Sequence, residues 1–252
     1  MIPVLTLLIA GHVLADFVLQ SDALVAAKQN PQTRGAALRR HFLQVAGAHA
    51  LFLVLIHPVL AILVGLGIGG VHLVIDRWKL RQEQAYPAPL RWFLWDQALH
   101  GFSLLLAGVW IAEFPLQDWM LLEWGLAQWI VLSIGFTMLA LNARLGGFLV
   151  AEFLRRYKPQ PSEPAQTDAE GELLRTGRVI GMLERVLLFL ILVQGEWAAV
   201  GFVIAAKSVV RFPELNKRDF AEYYLLGTLA SFLFAILSVL LYEQWLRWLT
   251  HA

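Results

Sequence analysis

The chain has 252 residues and no cysteine. Disulfides and thiolate metal sites are therefore excluded. Charge is scarce as well. Asp, Glu, Lys and Arg make up 15% of the residues, against about 25% in an ordinary soluble domain. The first residues include no basic stretch and no small-residue cleavage site, so residues 2–19 read as a retained helix rather than a secretory signal. Three connections between apolar runs hold no lysine or arginine: His57-Pro58, the acidic stretch from Glu113 to Glu123, and Gln194-Gly195-Glu196. What is abundant is apolar. The chain is 58% hydrophobic, with ten Trp and fifteen Phe, and aromatic side chains collect at bilayer interfaces.

Apolar runs lie at 3–19, 42–56, 59–75, 92–112, 125–141, 179–193, 197–210 and 221–242. Several fall short of the ~20 residues that a perpendicular span needs, and polar residues at their ends are expected to continue the helices. The pattern predicts an all-α polytopic transmembrane bundle of about eight spans, within a range of six to nine. The remaining connections are basic. Residues 20–41 carry Lys28, Arg34, Arg39 and Arg40, and residues 76–91 carry Arg77, Lys79, Arg81 and Arg91. Residues 143–178 carry Arg144, Arg155, Arg156, Lys158, Arg175 and Arg178, and residues 211–220 carry Arg211, Lys217 and Arg218. Together they hold seventeen of the twenty basic residues. By the positive-inside rule this side is cytoplasmic. The expected location is the inner membrane of a bacterium, with both termini periplasmic. Topology accounts for the basic residues, so nucleic-acid binding is not expected.

Residues 157–176 (YKPQPSEPAQTDAEGELLRT) are rich in proline and polar groups and read as a flexible cytoplasmic linker. This predicts an N-terminal bundle over 1–156 and C-terminal transmembrane helices over 177–252.

Three acid–histidine pairs lie inside the apolar segments: His12/Asp16, His72/Asp76 and Asp96/His100. Each is spaced by four residues, so both side chains share a helix face. His41 opens a fourth segment, and His49 lies two turns deeper. The predicted topology brings the three pairs and His41 to the cytoplasmic leaflet. Ionisable groups are costly in a bilayer and usually line a functional interior. Imidazole with carboxylate suits zinc, manganese or iron. The seven residues are the expected ligands, for two ions or for one ion with outer carboxylates orienting the histidines. Asp76, Asp96 and Lys79 are candidate catalytic groups. Lys79 and the Arg39-Arg40 pair beside His41 suit an anion such as phosphate. The structural alternative is a set of His–Asp hydrogen bonds locking the helices without metal. His57, before Pro58, reads as a turn residue.

The C-terminal part has a second set: Glu184, Arg185, Lys207, Arg211 and Glu222. Gly177 and Gly181 form a small-x-x-x-small face. The favoured reading is an ion-pair network, for example Glu184 with Lys207 and Glu222 with Arg211. The alternative is an anion site built on Lys207 and Arg211.

At these residues the sequence resembles an uncharacterised bacterial integral-membrane family, domain of unknown function 3307. The resemblance rests on Gly11-His12, Ala15-Asp16-Phe17, Leu19-Gln20, His41, His72 to Asp76 and Asp96 to His100. It also rests on Ile180 to Arg185, Ala206-Lys207-Ser208, Arg211-Phe212, Glu222-Tyr223, Gly227-Thr228-Leu229 and Ser231. It implies no particular activity. By ligand type alone, the layout is similar to membrane-bound metal-dependent hydrolases. The expected function is thus hydrolysis of an anionic, phosphate-bearing or lipid-like small molecule at a divalent-metal site beside the lipid bilayer. The alternatives are an ion- or proton-coupled transporter using the same residues as a relay, and a non-enzymatic membrane partner protein.

Overall fold

The structure, a computed structural model, describes the chain apart from residues 87, 114–124, 156, 158–166, 212–217 and 251–252. For residues 167–175, 210–211, 219–220 and 250 it describes the backbone alone. The described residues are helical, with no strand among them. Two compact units are present: Met1–Thr137 with Trp245–Ala252, and Met138–Gln244. The stretch expected to divide the chain, 157–176, lies inside the second unit.

The first unit contains α1 (Ile2–Val13), a π-helical segment (Leu14–Leu19), α2 (Asp22–Gln29), α3 (Arg34–Leu53), α4 (Pro58–Ala85), α5 (Pro89–Ile111) and most of α6 (Gly125–Ala140). The helix starts have local causes. Pro3, Pro58 and Pro89 sit in the first turns of α1, α4 and α5, where a missing N–H costs nothing. Ser21 caps α2, its Oγ accepting from Leu24 N at 3.3 Å. His57 caps α4, its Nδ1 accepting from Leu60 N at 3.2 Å, so the expected turn residue is a helix cap.

α3 packs closely against α4. A methyl built on Gly65 would overlap the carbonyl oxygen of Ala46, and one on Gly69 would press into the Phe42 ring at 3.1 Å. A methyl built on Gly11 of α1 would come within 3.1 Å of the His49 Cα. These glycines permit backbone contact, as small residues do between membrane helices.

Apolar side chains face outward and polar ones inward. Leu63 and Val74 on α4, and Phe102 and Leu106 on α5, point outward. The polar His72, Asp76, Asp96 and His100 of the same two helices are buried. Toward the opposite end from the polar groups, the interior is closed by Val4, Leu7, Leu8, Leu104 and Ile111, all at most 2% exposed.

The second unit contains another π-helical segment (Leu141–Leu145), α7 (Gly146–Leu154), α8 (Thr167–Val193), α9 (Trp197–Arg211) and most of α10 (Arg218–Thr250). α8 begins ten residues before the expected end of the linker. Its opening Thr-Asp-Ala-Glu is a helix-start pattern, which the proline-rich residues before it obscured. The rest of the expected linker, apart from Tyr157, lies outside the described residues.

Among the described residues, four helices are long and apolar enough to cross a membrane: Ile2–Leu19, Pro58–Ala85, Gly125–Leu154 and Ala221–Leu249. This corrects the count of eight. α3 and α5 are long enough, but His, Gln and Arg lower their hydropathy. α8 carries Arg178, Glu184 and Arg185 beside its apolar stretch. α9, at 15 residues, is short.

Candidate metal centre

The site is built by four helices of the first unit and the π-helical segment that follows α1. α1 supplies His12, and the π-helical segment supplies Asp16. α3 supplies His41, α4 supplies His72 and Asp76, and α5 supplies Asp96 and His100. The π turn matters because it adds a residue to the local hydrogen-bonded ring and so changes the direction of the side chains it carries. Asp16 thereby serves more than its own helix. Its Oδ1 lies 3.2 Å from His41 Nε2 and 3.3 Å from His72 Nε2. Those two ring nitrogens are 3.0 Å apart.

The result is a nearly equilateral triangle of electron-pair donors drawn from three chain segments. Ligand bonds of 2.0–2.1 Å around a tetrahedral ion place neighbouring ligand atoms about 3.3 Å apart, and the triangle has that size. Asp16 Oδ1 forms no aligned hydrogen bond despite its two close nitrogens. The two ring nitrogens are within hydrogen-bond distance of each other, and with Asp16 Oδ1 they have the spacing of co-ligands around a shared centre. Asp76 lies just outside, 3.8 Å from both His41 Nε2 and His72 Nε2.

A second pair faces the same interior. His100 Nε2 and Asp96 Oδ1 are 3.3 Å apart, both buried and both without a hydrogen-bond partner. Orphaned buried polar atoms are rare, because each forfeits ~1–3 kcal/mol of solvation. The His72 and His100 rings stack at 3.8 Å, which sets this pair beside the triangle. Ligand atoms of Asp16, Asp96 and His100 fall within 4.8 Å of one another, as do those of His12, Asp16 and His72, and those of His41, His72 and Asp76. The described residues thus include buried His/Asp groups able to hold a metal ion.

The remaining carboxylate oxygens are taken by cations and amides. Lys28 Nζ donates to Asp76 Oδ2 at 2.6 Å and to Gln20 Oε1 at 2.8 Å. Lys79 Nζ and Gln97 Nε2 both donate to Asp96 Oδ2, at 3.1 and 3.2 Å. Gln97 Oε1 accepts from His12 Nε2 at 3.2 Å. His12 therefore serves the cluster through Gln97 and through Asp16 Oδ2, 3.8 Å away, more than as a ligand in the triangle. Gln44 Oε1 lies 3.4 Å from His41 Nδ1, in place to fix that ring from behind.

Lys28 is the residue that sequence reasoning missed. In the sequence it is one basic residue of a connection, yet it is 5% exposed. α2 carries it inward, and Arg34 secures the end of that helix by donating to the carbonyls of Lys28 and Gln29. Arg39 and Arg40, expected to help bind an anion, are exposed. His49 is buried outside the ligand groups, with Nδ1 donating to Val45 O at 2.8 Å.

In the second unit, Lys207 pairs with Glu184 at 2.6 Å, as one expected ion pair has it. The other differs. Glu222 pairs with Arg218 at 2.8 Å, one turn away on the same helix, where spacing alone brings them together. The side chain of Arg211 lies outside the described residues. Arg185 joins neither pair. Its Nε donates to Asn142 O at 2.8 Å in the second π-helical segment, and its chain lies against Gly146 and Gly147, where added methyls would collide with it.

Residues 4–126 match the family described as a protein of unknown function (DUF3307). Over this stretch, just under half of its length, the chain is similar to that family. The DUF3307 match includes every member of the His/Asp cluster, with Lys28 and Lys79. It stops short of residues 180–231, where the resemblance had also been read. No curated protein and no solved structure matches the chain.

Proposed function

We propose that this protein is a metal-dependent hydrolase of the bacterial inner membrane, acting on an anionic or lipid-like substrate at the cytoplasmic leaflet. The observation that carries the reading is the triangle of Asp16 Oδ1, His41 Nε2 and His72 Nε2, with sides of 3.0–3.3 Å. A divalent ion, whether zinc, manganese or iron, would make water nucleophilic near neutral pH and polarise the bond under attack. The residues do the rest. Lys28, anchored by Gln20, holds Oδ2 of Asp76, and Lys79 and Gln97 hold Oδ2 of Asp96. Asp96 Oδ1, free of hydrogen bonds, is in place to take a proton from water. The Lys79 side chain is 22% exposed and marks the open side of the cluster.

A second reading has support in one feature. The rings of His41, His72, His100 and His12 follow one another at 4.9, 3.8 and 5.2 Å, which suits a proton relay in a transporter. The apolar closure by Leu7, Leu8, Leu104 and Ile111 weighs against it, because a relay needs a polar route to the far side.

Two measurements test the proposal. Elemental analysis of protein purified without chelator should find a divalent metal, and stripping it should end hydrolysis. A metal-free parent of normal stability would end the hydrolase reading and favour the relay or a non-enzymatic partner. For orientation, a cysteine at Gln82, in the basic connection after α4, should resist membrane-impermeant reagents in intact cells. Labelling from outside would move the site to the periplasmic face.

A further inference from the structure

Resting on that reading, we propose that the cluster holds two divalent cations sharing the Asp16 carboxylate, and that their joint substrate is a phosphate monoester held between Lys28 and Lys79. The donor atoms fall into two groups. Asp16 Oδ1, His41 Nε2 and His72 Nε2 form one, with sides of 3.0–3.3 Å. Asp96 Oδ1 and His100 Nε2 form the other, 3.3 Å apart, each more than nine-tenths buried and without a hydrogen bond. One tetrahedral ion cannot use both groups together with Asp76, since it takes about four ligands. Asp16 belongs to both groups, and a carboxylate has two oxygens to share. Paired ions ~3.5–4 Å apart clamp the attacking and leaving oxygens of a phosphoryl group.

Charge identifies the substrate class. With the imidazoles neutral, as ligands must be, three aspartates against Lys28 and Lys79 leave one negative charge. Two divalent ions turn this into three positive charges in a buried site. A hydroxide and a phosphate-ester dianion return it to zero. A neutral ester or amide would leave a large uncompensated charge, which burial does not tolerate. The two lysines lie against different carboxylates, Asp76 and Asp96, so their ammonium groups can contact separate phosphoryl oxygens. In the reaction the oxygen of one water bonds to phosphorus, and the ester P–O bond breaks. Its electron pair stays on the alcohol oxygen, which takes up the proton that the water releases. The products are the free alcohol and inorganic phosphate.

The test is titration of the chelator-stripped full chain in detergent with zinc or manganese, read by calorimetry. Two equivalents are expected for the parent and one for Asp96→Asn, whose retained ion also reports a folded site. His41→Gln is the mirror variant, expected to keep the ion at Asp96 and His100. A single equivalent in the parent overturns the two-ion centre while leaving a hydrolase intact; none at all overturns the hydrolase reading itself. Inorganic phosphate is then added to the loaded protein. It should bind, and Lys79→Gln should weaken it about 10-fold without changing the number of ions. Phosphate that does not bind a doubly loaded protein overturns the substrate class alone. Hydrolysis of phosphatidic acid in vesicles, against p-nitrophenyl phosphate in solution, separates a lipid headgroup from a soluble ester as the source. Cleavage of neither by the loaded protein also overturns the substrate class.

Discussion

Asp16→Asn should leave the protein folded, inserted and almost free of metal. Asn keeps the shape of the side chain and removes the charge that an ion needs. Asp16 touches both imidazoles of the triangle and belongs to two of the three groups able to hold a metal. Its loss should therefore exceed the roughly 10–100-fold weakening that follows removal of an outer partner. If the cluster is only a lock between helices, the same change costs on the order of 0.6–2 kcal/mol of helix association, and the parent carries no metal. Elemental analysis of parent and variant, beside thermal unfolding in the same detergent, separates these results. Equal metal in the two proteins would remove Asp16 from the ligand set.

Lys28→Met should strongly destabilise the metal-free protein. The Lys28–Asp76 pair is buried on both sides, and removing one partner leaves a lone carboxylate in an apolar interior. Breaking such a pair costs ~3–5 kcal/mol. Two further results identify the cause. Adding zinc should recover much of the loss, because a cation beside Asp76 replaces the missing ammonium. The double change Lys28→Met with Asp76→Asn should return the metal-free protein to within about 1 kcal/mol of the parent, as replacing both members of a buried pair often does. Denaturant unfolding of the four proteins with and without zinc measures all of this. A Lys28→Met protein as stable as the parent would mean that Asp76 has another source of charge compensation.

The sequence made the residues of the His/Asp cluster legible because carboxylates four residues from imidazoles stand out against apolar neighbours. Their convergence followed from the positions of arginines and lysines in the connections. Three things were not legible. The π-helical turn at Leu14–Leu19 has no local signature in Leu-Ala-Asp-Phe-Val-Leu. Four-residue spacing aligns Asp16 with His12, whereas in the fold its Oδ1 serves His41 and His72. Lys28 looked like a topology marker because charge near a membrane surface is usually solvated. Only its position on α2, against Asp76, reveals the other role. The number of long apolar helices was overestimated because α3 and α5 carry the polar residues of the site. The residues that place them in the cluster also lower their hydropathy.

The close approach of α3 and α4 at Gly65 and Gly69 bears on which ion the site prefers. His41 and His72 project from these two helices, so the gap between their nitrogens is set by backbone against backbone and not by pliable side chains. A gap of 3.0 Å suits small ions with short bonds. Calcium, with oxygen ligands at 2.3–2.6 Å, would have to spread the helices. On the proposed reading, metal selectivity would rest partly on glycines outside the ligand set. Gly65→Ala, which would push against Ala46, should shift the preference toward larger ions such as cadmium, measurable by competition against zinc.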